Sequence, residues 1–227
     1  MKAVNVLLLL MTVSTFAAAE DPVTLAETGH AALVRSDYNA AVAAFERAIQ
    51  LQPRVATLHF RLGGACAQSA MNGGLLAAIS MGKKARIEFE RAVALDPDFL
   101  PARFALLEFY LGAPGLMGGS ESAARAQAVE IATRDAVEGH RSRAAIATAT
   151  KQPEIARAEY AAMLREQPRS ARAHYYYGLH LLLVEKNYPS ATGEFEASTK
   201  LDSSYAAAWF QIGHSAALGA TNLVRGE

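Results

Sequence analysis

Six histidines, a single cysteine and one glycine-rich loop are the parts of this 227-residue sequence that could do chemistry. His30, His59, His140, His174, His180 and His214 include no pair at the i, i+4 spacing that lets one helix offer two imidazoles to a metal ion. Cys66 has no second cysteine to pair with, and its neighbours Gly63, Gly64, Ala65 and Ala67 predict a small buried side chain and not an activated thiolate. The loop Gly115-Leu116-Met117-Gly118-Gly119-Ser120 could hold an anion at the start of a helix. It lacks the Lys and Ser/Thr of a phosphate loop, and the plainer expectation is a turn with Ser120 as N-cap. There is no Gly-x-Ser-x-Gly, no cysteine with a matched His and Asn, and no recognisable carboxylate pair. The expectation is therefore no enzyme, no cofactor and no metal centre.

Bulk composition points the same way. Basic and acidic residues balance at 22 each with no run of one sign, so the electrostatic footprint of a nucleic-acid binder is missing. Hydrophobic residues make up 52% and Pro only 8 positions, which favours packed helices over disorder.

What must position these side chains emerges from self-similarity. From Gly29 the chain runs to Ala41, Phe45, Ala48 and Pro53, at spacings of 12, 4, 3 and 5. Gly63 follows Gly29 by 34 residues, and Ala85, Phe89, Ala92 and Pro97 repeat the 4, 3, 5 spacing after a gap of 22 in place of 12. Ala156, Tyr160, Met163 and Pro168 form another copy. Gly178 with Ala191, Phe195 and Ser198 forms the next, and Trp209-Phe210-Gln211-Ile212-Gly213 begins a last one. The stretch near Leu100–Val137 belongs by phase alone, because Leu107 stands where Gly is expected and no Pro closes it; three further residues are assigned to the loop at 113–120.

These residues resemble the tetratricopeptide repeat, a helix-turn-helix unit with a period of 34. The resemblance implies an all-α, right-handed α-solenoid over residues 20–227. Its units are about 22–55, 56–99 with an insert at 69–83, 100–136, 137–170, 171–204 and a partial 205–227. Gly and Ala let paired helices approach, the aromatic fills the gap, and Pro ends the second helix. The extended second repeat and the Pro-Gly-apolar-apolar-Gly-Gly-Ser loop are similar to a subgroup of bacterial exported members. Asn222 to Glu227 looks like the approach to a further second helix, whose absence would leave apolar surface uncovered.

The resemblance also implies a groove. First helices line the concave side, with positions three before and one after each repeat Gly pointing into it. Here those are Ala26 and His30, Phe60 and Gly64, Phe104 and Glu108, Tyr175 and Leu179, and Phe210 and His214. Such an apolar, aromatic face suits an extended or helical peptide of a protein partner, unless the aromatics cover one another or the insert Leu75–Met81 covers them. A second reading is a small-molecule or metal carrier using His30, His214 or the glycine loop.

Residues 1–19 differ in kind. Met1-Lys2, an apolar stretch from Ala3 to Phe16 and Ala17-Ala18-Ala19 before Glu20 predict a secretory signal peptide cleaved after Ala19. The expected product is periplasmic or secreted, meets its partner in the cell envelope, and keeps no membrane span.

Overall fold

The computed structural model describes residues 21–225, with side chains to residue 220. The signal peptide expected at 1–19 lies outside the described residues.

Among those residues the chain forms eleven α-helices and no strand. They are α1 Pro22–Val34, α2 Tyr38–Leu51, α3 Ala56–Asn72, α4 Leu75–Leu95, α5 Leu100–Gly112, α6 Glu121–Ala132, α7 Ala136–Ala149, α8 Pro153–Glu166, α9 Ala171–Leu183, α10 Tyr188–Leu201 and α11 Ala206–Arg225. Each odd helix packs on the even helix after it, and each pair on the next, so buried residues fall into clusters strung along the stack. Short polar side chains start many of the helices. The side chains of Asp21, Asp37, Ser120, Asp135, Ser170 and Asn187 each accept from a backbone amide in the first turn. At the other end, Ser36, Lys151 and Lys186 take positive φ (59°, 59° and 54°) and reverse the chain without glycine.

Three of the repeat glycines lie against an aromatic. A Cβ built on Gly29, Gly63 or Gly178 would come within 2.8 Å of Phe45, 2.6 Å of Phe89 and 2.6 Å of Phe195 respectively. Close helix approach is thus paired with one large ring in each of these three repeats. Four residues before Gly63, Leu107, Gly178 and Gly213 sits a second device, a side-chain nitrogen aimed at a carbonyl that follows the previous repeat's last helix. Arg103 Nε donates to Pro97 O (2.6 Å), Trp209 Nε1 donates to Ser203 O (2.9 Å), and His59 Nε2 lies 3.1 Å from Pro53 O. His174 Nε2 repeats the contact with Pro168 O at 3.4 Å.

Three details depart from the sequence reading. The insert makes no element of its own: it lengthens α3 and α4, whose hairpin turns at Gly73-Gly74; Leu75 and Leu76 stay exposed, while Met81 packs, like Phe60, against the first buried cluster. The third repeat carries its extra length unevenly. Leu107 to Ala124 is 17 residues against 12 for Gly29 to Ala41, whereas Ala128 to Ala144 is 16 against 18 for Phe45 to Gly63, so the loop is longer and the α6–α7 turn shorter than expected. Finally, Asn222–Arg225 continue α11.

Candidate functional site

Odd helices present one side of the stack, and the faces of α5, α7 and α9 enclose a groove of about 540 Å³ there. Phe104, Glu108, Arg141, Tyr176, Leu179 and Leu183 line it. Arg141 is the residue that organises it. Its guanidinium carbon lies 3.8 Å from the centroid of Phe104 and 4.6 Å from that of Tyr176, a cation held between two rings. Glu138, one turn earlier on α7 and 7% exposed, sits 3.0 Å from Arg141 Nε and accepts from the Tyr176 hydroxyl at 2.7 Å. Arg172 reaches Glu138 at 3.7 Å and donates to Asp135 at 2.6 Å, tying α7 to α9.

Electrostatics follow from this packing. Burial, reinforced by the Glu138 carboxylate, pushes the Tyr176 phenol well above its ordinary value, so it remains a donor. Burial works against ionising Asp135, but the Glu138 amide and Arg172 outweigh it and hold the carboxyl below its ordinary range. The groove is therefore an apolar trough whose one central cation is already paired, with Glu108 exposed at its rim.

The predicted site residues divide. Phe104, Glu108 and Leu179 meet in this groove. Phe60 packs on Phe89 and Phe99 (centroids 6.1 and 5.3 Å), and Tyr175 on Phe195 and Tyr205 (5.8 and 5.1 Å). Both rings fill the seam between one repeat and the residue leading into the next. His30 is exposed on α1, while Phe210 (72% exposed) and exposed His214 share α11 with ring centroids 6.2 Å apart. His30 and His214 thus occupy the first and last helices and do not converge. Ala26 packs against the first buried cluster, and Gly64 faces open space. Arg141 was missed because no glycine marks the fourth repeat. Counting 12 back from Ala156 gives Ala144, and three before that is Arg141.

The other candidates resolve into packing. Cys66 is fully buried and burial pushes its thiol up to about 11. His59, His140 and His174 bond Glu88, Glu159 and Glu194 at 2.6, 2.8 and 2.7 Å, each joining the two helices of one repeat. In the glycine loop, the amides of Gly118, Gly119 and Ser120 bond Gly115, Pro114 and Tyr110 carbonyls, which leaves no cradle of free donors. Among the described residues no group of three or more His, Cys, Asp or Glu is placed to hold a metal ion. A cleft of about 600 Å³ between α6 and α8, on the opposite side of the stack, is bordered by Ala128, the small residue that stands where other repeats carry an aromatic.

No protein-family model matches the chain, and no curated protein matches it either. Among solved structures, TTC0263, a thermophilic TPR protein of Thermus thermophilus, superimposes with a TM-score of 0.54 at 13% identity, covering 86% of this chain and 98% of that one. A MamA protein superimposes with a TM-score of 0.47 at 14% identity over 82% and 93% of the two chains. YrrB, described as a TPR protein with an unusual peptide-binding site, gives 0.38 at 18% identity over 79% and 86%. The first of these, with the all-helical order of elements, shows that this chain has the fold of a tetratricopeptide solenoid.

Proposed function

We propose that the chain is an exported scaffold whose odd-helix groove holds a peptide segment of a protein partner in the cell envelope. The observation that carries this reading is the trough of Phe104, Tyr176, Leu179 and Leu183 around a cation that the protein itself neutralises. Because Arg141 is already engaged by Glu138 and two rings, it does not compete for ligand carboxylates. What remains for a ligand is apolar area and the Glu108 carboxylate, which suits an apolar segment carrying one basic group. Export is supported by the leader-like composition of residues 1–19 and would appear as a mature N-terminus at Glu20.

The test is site-specific photo-crosslinking in cells, with a benzophenone side chain at Leu179 in the groove or at Val129 on the opposite side. An adduct from position 179 that position 129 does not give, and that Glu108→Arg weakens, is expected. Adducts of equal yield from both positions would refute the groove.

A further inference from the structure

From Leu62 to Gly82 no residue carries a charge, and the charges that bound this stretch, Arg61 and Lys83-Lys84, are all basic. In the fold this stretch is most of α3, the start of α4 and the turn between them. The lengthened hairpin ends in Met71, Leu75 and Leu76, which are 79%, 77% and 83% exposed. Exposed apolar side chains at the end of a protruding hairpin cost solubility unless something covers them.

The hairpin also opens into an apolar cleft. A space of about 510 Å³ lies between it, α5 and the loop after α5, lined by Met71, Ala78, Gly82, Phe109 and Met117, with Glu108 the only charged residue on its wall. Behind the tip comes the basic collar. Lys83 is exposed eight residues into α4 from Leu75, about 12 Å along the helix axis. Lys84 is paired with Glu46 and Arg86 with Glu90, so Lys83 and the exposed Arg61 supply the outward charge. No acidic residue occurs between Glu46 and Glu88, although acids and bases balance over the whole chain.

We propose that the α3–α4 hairpin docks on an anionic phospholipid bilayer, with Met71, Leu75 and Leu76 in the acyl boundary and Lys83 among the phosphates. An apolar tip that enters about 5–10 Å brings a cation about 12 Å behind it to the headgroup level. Charge decides the occupant. A protein surface complementary to this hairpin would have to match an uncharged tip, an apolar cleft and a cationic collar in that order, and an anionic lipid has those parts in one molecule. Among the described residues no helix is long and apolar enough to cross a membrane, so the contact is interfacial.

The experiment is vesicle co-sedimentation of the chain beginning at Glu20, which contains every described helix and omits the apolar leader. Phosphatidylcholine vesicles with about 30 mol% phosphatidylglycerol are expected to bind about tenfold more protein than phosphatidylcholine alone, and raised salt lowers that binding. Leu75→Gln with Leu76→Gln is expected to reduce binding to the anionic vesicles at least about tenfold. Both leucines are exposed, so helical content and melting serve as the control for folding. A Leu76→Trp variant, excited beside the Leu76→Phe control to subtract Trp209, is expected to shift its emission to the blue on anionic vesicles. Equal sedimentation with the two compositions, unchanged binding of the double glutamine variant, or no blue shift overturns the proposal.

Discussion

Leu107 of α5 and Ala128 of α6 share one buried cluster with their sizes exchanged relative to Gly63 and Phe89, which hold the same places in the preceding repeat. Both are buried, at 0% and 3% exposure, so volume is conserved while the bulk moves from the second helix to the first. Leu107→Gly is expected to cost about 3–5 kcal/mol, from the cavity and the added backbone freedom. Ala128→Phe alone overpacks and costs about 1–3 kcal/mol. Together they rebuild the arrangement of the other repeats, so the double variant should regain at least about 2 kcal/mol over Leu107→Gly in urea unfolding. Simple addition of the two losses would show that the exchange is coincidental.

Adjacent glycines in α3 should respond with opposite sign to the same substitution. A Cβ on Gly63 would lie 2.6 Å from Phe89, whereas one on Gly64 meets nothing within 4 Å. Gly63→Ala must displace a ring in the core and is expected to lose about 1–3 kcal/mol. Gly64→Ala adds helix propensity at no steric cost and is expected to gain about 0.5–1 kcal/mol. Thermal melts of the two variants check this directly, and a loss at Gly64 comparable to that at Gly63 would contradict the socket account.

The solenoid was legible because spacing survives where residue type does not. Ala124, Ala128 and Ile131 keep the 4 and 3 steps of Ala41, Phe45 and Ala48, so the third repeat carried its signal in a form that a search for Gly and Phe passes over. The groove was half legible. Phe104, Glu108 and Leu179, read by phase, line the trough between α5, α7 and α9, but Phe60 and Tyr175 have rings large enough to reach the next repeat, and Phe99 and Tyr205 meet them there. Such seams depend on the angle between repeats, which no spacing encodes. His59 and His174 recur four residues before Gly63 and Gly178, a regularity visible in the sequence, but their glutamate partners were not legible, because those contacts join two helices of a pair.

Arg141 should matter more to stability than an ordinary groove cation. It touches the Phe104 and Tyr176 rings and forms an ion pair with Glu138 Oε2, a buried oxygen that makes no other contact of that strength. Arg141→Ala removes the cation and leaves a buried carboxylate against two rings, an expected loss of about 2–4 kcal/mol. Adding Glu138→Gln removes a charge that only Arg172, at 3.7 Å, still offsets, and should return about 1 kcal/mol. If Arg141→Ala alone proves neutral in urea unfolding, the guanidinium is a surface ornament of the groove and not its organiser.

His180 makes the α8–α9 junction sensitive to acid. Its ring lies 4.7 Å from the centroid of Tyr160, its Nε2 is 3.1 Å from Glu185, and it is 5% exposed. Burial depresses its pKa below 6.5 and outweighs the pull of Glu185, itself held low mainly by Arg157. The folded chain therefore resists a proton that the unfolded chain accepts. This contribution is fully present above about pH 7 and is lost as pH falls through 6.5 towards the folded value, so stability drops on acidification in that window. The Glu185 carboxylate is lost in a separate window, below its ordinary value of 4.5. Replacing His180 by Gln keeps a polar group of similar reach but removes the titration. The variant should show a shallower fall in urea midpoint between about pH 7 and 5 than the wild type. Parallel curves would place the acid sensitivity elsewhere in the stack.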